Sequence, residues 1–117
     1  MVSKHSDVHV RTQLRASRSL LKFCEEHGYK NQWIENIHQC VKALEKGDIV
    51  AAVDNYNVVP LGGMGCFNDW WPPVIYENET EEYVWAVFEA LVAQWSRLMS
   101  LSCPNPSFKR DALKRAP

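Results

Sequence analysis

No stretch of this sequence is long and apolar enough to suggest a membrane span. The most apolar run, Tyr83 to Trp95, is broken by Glu89 and Gln94, and it falls well short of the ~20 residues a span needs. No sign of charge dominates: 13 Lys and Arg stand against 14 Asp and Glu, for a net charge of -1. A dedicated nucleic-acid binder carries a larger positive excess, so nucleic acid is disfavoured as a partner. The four cysteines, Cys24, Cys40, Cys66 and Cys103, make no C-x-x-C pair and have no histidine at metal-ligand spacing beside them. No apolar segment of the secretory kind follows Met1–Asp7. These absences predict a cytoplasmic protein with reduced thiols, mostly buried as small hydrophobes, and with no metal and no cofactor.

What is present is an ordinary globular composition. The chain has 117 residues, 46% hydrophobic and 23% charged, enough for one core and one domain. The charge is unevenly spread. Residues 1–22 carry five Lys/Arg against Asp7, residues 23–97 carry twelve acids against four bases, and residues 98–117 carry four bases against Asp111. An acidic body is therefore flanked by basic ends. Either the basic first segment docks on the acidic body or is simply solvated, or the body offers an acidic face to a cationic partner.

Periodicity predicts an all-α protein, a compact bundle of about four helices. Val10, Leu14, Leu21 and Cys24 recur at helical spacing beside a basic stripe of Arg11, Arg15, Arg18 and Lys22. Ser6 suits the start of this helix and Gly28 its end. A second helix follows Asn31, with Trp33, Ile34, Ile37, Val41 and Leu44 on one face. Gly47 stops it and Asp48 caps a shorter third segment running to Tyr56, whose β-branched residues would also suit a strand. The last helix opens near an Asn78/Glu81 capping-box match, and Val84, Val87, Phe88, Leu91, Trp95, Leu98 and Met99 line its apolar face. If that face is fully buried, Leu91→Ala costs roughly 2–5 kcal/mol. Pro104 and Pro106 forbid continuation. The domain is expected to span residues 1–103, with 104–117 a flexible basic tail.

Residues 57–77 differ in kind, holding Gly62, Gly63, Gly65, Pro60, Pro72, Pro73 and the adjacent Trp70 and Trp71. Such a stretch is too long for an ordinary connection and too apolar for a flexible linker, so it predicts a packed Gly/Trp/Pro loop before the last helix. Neighbours in an extended segment alternate sides, so Trp70 and Trp71 cannot both face the core. One of them is either an interface anchor or a lid lying on the bundle. The acids at Glu77, Glu79, Glu81 and Glu82 adjoin this loop and suit the positive end of the last helix. Together, Trp70, Trp71, Glu77, Glu79, Glu81 and Glu82 are the candidate partner-binding residues.

No catalytic set is assembled by spacing. The glycines are followed by Cys66-Phe67-Asn68-Asp69 and not by the Lys-Ser/Thr of a phosphate loop. His5 and His9 lie four apart but lack a third ligand. A Cys66 nucleophile served by His27 or His38 is conceivable, but no spacing demands it. Asn68 and Asp69 read as turn residues that bond nearby backbone N–H groups.

The stretch Pro60-Leu61-Gly62-Gly63-Met64-Gly65-Cys66-Phe67-Asn68-Asp69 resembles the signature of an uncharacterised family of small bacterial proteins, Gly-Gly-Met-Gly-Ser-Phe-Asn-Asp. The resemblance covers about residues 25–100, including Trp33 and the Gly47-Asp48 break. Gly62, Gly63, Met64, Gly65, Phe67, Asn68 and Asp69 are its structural motif. Cys66 replaces the family's serine, which argues against an essential hydroxyl there, and Trp70-Trp71-Pro72-Pro73 is bulkier than the pattern. Members resemble cytosolic immunity proteins, so the resemblance implies a non-enzymatic binding protein that neutralises a cognate antibacterial toxin. The alternatives are a small enzyme or ligand-binding domain centred on the Gly-rich loop, and a subunit of a homo-oligomer.

Overall fold

A computed structural model describes residues 7–29, 32–61, 67 and 74–103. The expectations for Ser6 and Asn31, for Gly62 to Cys66, for Asn68, Asp69, Trp70 and Trp71, and for the tail 104–117 lie outside the described residues. Four helices make up the fold: α1 Asp7–Glu26, α2 Gln32–Glu45, α3 Ile49–Val58 and α4 Glu81–Ser100. No strand occurs among the described residues. The all-α expectation holds, and the third segment is a helix despite its β-branched residues. It runs two residues past Tyr56, to Val58.

The helix ends follow from backbone chemistry. Gly28 takes φ 79° and Gly47 φ 75°, conformations in which a side chain would be strained. At the end of α1, Tyr29 N–H donates to Cys24 O at 2.8 Å and Gly28 N–H to Glu25 O at 3.4 Å. At the end of α2, Asp48 N–H donates to Ala43 O at 2.8 Å and Gly47 N–H to Leu44 O at 3.1 Å. Both are Schellman closures, which satisfy carbonyls the helix leaves open. Asp48 then opens α3, its carboxylate accepting from Ala51 N–H at 3.1 Å. At α4 the sequence reading needs correction. Thr80, and not Asn78, is the N-cap: its hydroxyl accepts from Tyr83 N–H at 3.1 Å. Glu81 is therefore the first residue of the helix and has no capping-box role. Asn78 sits in the turn before it.

α1 and α4 pair antiparallel along their whole length. Gln13 Nε2 donates to Leu98 O at 3.0 Å, Trp95 Nε1 to Ser17 Oγ at 2.9 Å, and the Phe23 and Phe88 rings stack at 6.2 Å. α2 packs against α1, with Ser17 Oγ and Cys40 Sγ 3.9 Å apart and Arg18 on Glu45. α2 and α3 form a helical hairpin across the Gly47–Asp48 joint, tied by Asn36 to Asn55 at 3.2 Å. Leu20, Cys24, Ile37, Cys40, Tyr56, Phe67, Val84, Phe88, Trp95 and Met99 are wholly buried between these helices. The connection from α3 to α4 is packed where it is described: Val59, Leu61 and Phe67 are buried, and Phe67 N–H donates to Pro60 O at 2.9 Å. The Phe67 ring meets Tyr29 edge-on at 5.1 Å and Phe88 at 5.7 Å.

Two helix faces differ in part from the apolar pattern. On α1 the expected Leu20, Leu21, Phe23 and Cys24 are buried, joined by Gln13, Ala16 and Ser17, while Val10 and Leu14 flank them half-buried. On α4 the buried line passes through Val92, and Val87, Leu91 and Leu98 are half-buried. Trp33, expected in the core, is half-buried too. Leu91→Ala should therefore cost about 1 kcal/mol, below the range for a fully buried leucine. A loss of more than ~2 kcal/mol in the urea midpoint would restore Leu91 to the core.

Candidate functional site

The acids grouped by sequence around the start of α4 divide into two kinds. Glu77, Glu81 and Glu82 are exposed. Glu79 is drawn inward. Its carboxylate lies 3.1 and 3.2 Å from His27 Nε2 and accepts from Tyr76 N–H at 2.9 Å. Glu79 is thus an internal tie and not a free charge for a partner, which corrects its grouping with the other three. The Tyr76 N–H, with the His27 ring beside it, holds the Glu79 carboxyl below its ordinary value, against the partial burial that pushes it up.

His27 is the fixed point of this arrangement. It is 3% exposed, at the end of α1. Its Nδ1 faces Phe23 O at 2.9 Å. The ring stacks on Phe23 at 4.1 Å and meets Tyr76 edge-on at 5.4 Å. Backbone and hydroxyl contacts complete the clasp: Val74 N–H donates to His27 O at 3.2 Å and Tyr76 Oη–H to Glu26 O at 2.6 Å. Residues 74–79 are thereby held on the end of α1, although 52 positions separate His27 from Glu79.

The clasp presents aromatic surface. Tyr76 is 48% exposed with its hydroxyl anchored, and Tyr83, in the first turn of α4, is 58% exposed. Two partly apolar rings, that of Tyr76 held by its hydroxyl, combine contact area with the charge of the exposed Glu77, Glu81 and Glu82. The acids are legible in the sequence and both tyrosines are not, because their exposure depends on how residues 74–79 are seated on the end of α1. What the sequence does carry is their position: Tyr76 and Tyr83 bracket the acidic turn on either side of Thr80.

Among the described residues, His27 and the buried thiols are engaged in packing, while Cys66, Asn68 and Asp69 lie outside them. Both ring nitrogens of His27 are engaged, which leaves none for a Cys66 thiol. Burial pushes the Cys40 thiol up to about 11 and the Cys24 thiol up as well, so neither supplies a thiolate near neutral pH. Cys24, Cys40 and Cys103 are free thiols. Ser17 Oγ, which accepts from Trp95 and donates to Gln13 O at 2.8 Å, is a packed junction and not an activated hydroxyl. No group of three metal-ligating side chains occurs among the described residues. No described helix is long and apolar enough to cross a membrane. Comparison with family models, with curated proteins and with solved structures finds no match to the chain.

Proposed function

We propose that the protein is a binding module, specifically a cytoplasmic immunity protein that holds and neutralises a cognate antibacterial toxin domain. The observation that carries this reading is the Tyr76/Tyr83 surface, exposed among Glu77, Glu81 and Glu82 and seated on the His27–Glu79 clasp. Rigid presentation lowers the ordering cost of association. Tyrosines are frequent energetic anchors of interfaces. The carboxylates favour a cationic partner surface and speed encounter with it. The signature-like stretch at 60–69 supports the same reading by resemblance.

The test is growth rescue: the chain is co-produced with the toxin domain encoded beside its gene, and binding is measured on the purified pair. Tyr83→Ala should fold with an unchanged urea midpoint and weaken binding by about 2 kcal/mol or more. Glu81→Lys with Glu82→Lys should mainly slow association. Failure of the wild-type chain to rescue, or full binding by both variants, rejects the proposal. A self-associating chain indifferent to the toxin would point to the homo-oligomer alternative.

A further inference from the structure

The basic stripe of α1 takes no part in the acidic surface and has its own geometry. Arg11, Leu14, Arg15, Arg18 and Ser19 line a surface cleft of about 310 Å³ on this helix. Leu14 is half-buried and forms its apolar floor, while Arg11, Arg15, Arg18 and Ser19 are exposed. Every polar group in the lining is a donor at physiological pH or, for Ser19, can become one. Arg18 is bound to Glu45 at 2.5 Å, and Lys22, one turn further along, pairs with Glu26 at 3.5 Å. Arg11 and Arg15 have no ion-pair partner among the described residues.

The spacing of these arginines opposes the helix that carries them. Positions 11, 15 and 18 are successive neighbours on one face, and like charges at such spacing repel. Arg11 and Arg15 lie in the N-terminal half of α1, where the helix macrodipole gives them no relief, whereas Arg18 is offset by Glu45. An anion in the cleft removes that repulsion. Neighbouring side chains at this spacing stand ~5–6 Å apart at Cβ, so two guanidinium forks can converge on one tetrahedral group. A single carboxylate carries one charge against the two unpaired guanidiniums of Arg11 and Arg15, whereas a phosphate ester carries about two charges and three acceptor oxygens. A long polyanion is disfavoured by the acidic body, whose residues 23–97 hold twelve acids against four bases. We infer that this cleft binds a phosphate-bearing small molecule, its phosphate held by Arg11 and Arg15 with Ser19 and Arg18 beside them.

Inorganic pyrophosphate is the probe, titrated into the full chain while the arginine Nε–H signals are followed by NMR. Pyrophosphate should shift the Arg11 and Arg15 signals saturably. Arg15→Gln should weaken binding tenfold or more, with the urea midpoint unchanged because the residue is exposed. Glu45→Gln, which releases Arg18, should tighten binding several-fold. Absence of a saturable shift at millimolar probe overturns the inference, as does an Arg15→Gln variant that binds like wild type. An oligoglutamate peptide or a short DNA duplex binding more tightly than pyrophosphate also overturns it, in favour of macromolecular docking on α1. None of these outcomes depends on the toxin-binding surface at α4.

Discussion

Replacing Trp95 by alanine is expected to remove most of the stability of the fold. Trp95 is fully buried, meets Tyr56 edge-on at 5.1 Å and donates to Ser17 Oγ at 2.9 Å. Truncating a buried tryptophan costs roughly 3–5 kcal/mol, against a total of ~5–15 kcal/mol for a domain. Ser17 would lose its donor at the junction of α1, α2 and α4. Trp95→Phe separates the two contributions: it keeps most of the packing and deletes the hydrogen bond, for about 1–2 kcal/mol. Urea unfolding followed by circular dichroism measures both, with an unchanged slope indicating an intact two-state transition. A loss below ~1 kcal/mol for the alanine variant would mean that Trp95 is not the centre of the core.

The His27–Glu79 clasp should produce the second large effect. His27→Ala removes a buried ring stacked on Phe23 together with its contacts to Phe23 O and Glu79. A loss of roughly 2–4 kcal/mol is expected from packing and hydrogen bonds combined. Glu79→Gln keeps the shape and removes the charge, which gives a readout in pH. Because the folded-state pKa of Glu79 is lowered, its contribution is complete above the ordinary carboxylate range. It is lost as pH falls through that range towards the lower folded value. The wild type should therefore lose more stability on acidification than Glu79→Gln does. Identical acid profiles for the two proteins would show that the carboxylate contributes nothing as an anion.

Punctuation was legible in the sequence because few residues can do what it requires. Gly28 and Gly47 mark positions with positive φ, and Asp48 follows directly with a side chain able to cap a new helix. Long-range polar packing was not legible. By polarity alone Gln13, Ser17 and His27 belong at a surface, yet each is buried, with partners 85, 78 and 52 positions away bonded to Gln13 Nε2, Ser17 Oγ and His27 Nε2 respectively, while Gln13 Oε1 is left without a partner. On α4, apolar residues spread over too wide an arc to reveal that Val92, and not Leu91, faces the core. At its start, Asn78 and Thr80 are both good caps; the tie from Glu79 to His27 lies between them and is a tertiary contact that local pattern does not contain. For the candidate site, the exposed acids were visible, whereas the exposure of Tyr76 and Tyr83 depends on how the clasp seats residues 74–79.

The antiparallel pairing of α1 with α4 has a mechanical consequence. Gln13 meets Leu98 at one pole of the bundle, and His27 meets Glu79 at the other. Force applied before α1 and after α4 therefore enters at a single pole and opens the pair like a zipper. Load falls first on Gln13 against Leu98 and Ser102, next on Trp95 against Ser17, then on Phe23 against Phe88, and last on His27 against Glu79. Contacts that break one after another resist less than contacts loaded together in shear, so the domain should yield at low force when pulled by its ends. The same pull leaves the Tyr76 pole intact until the final step.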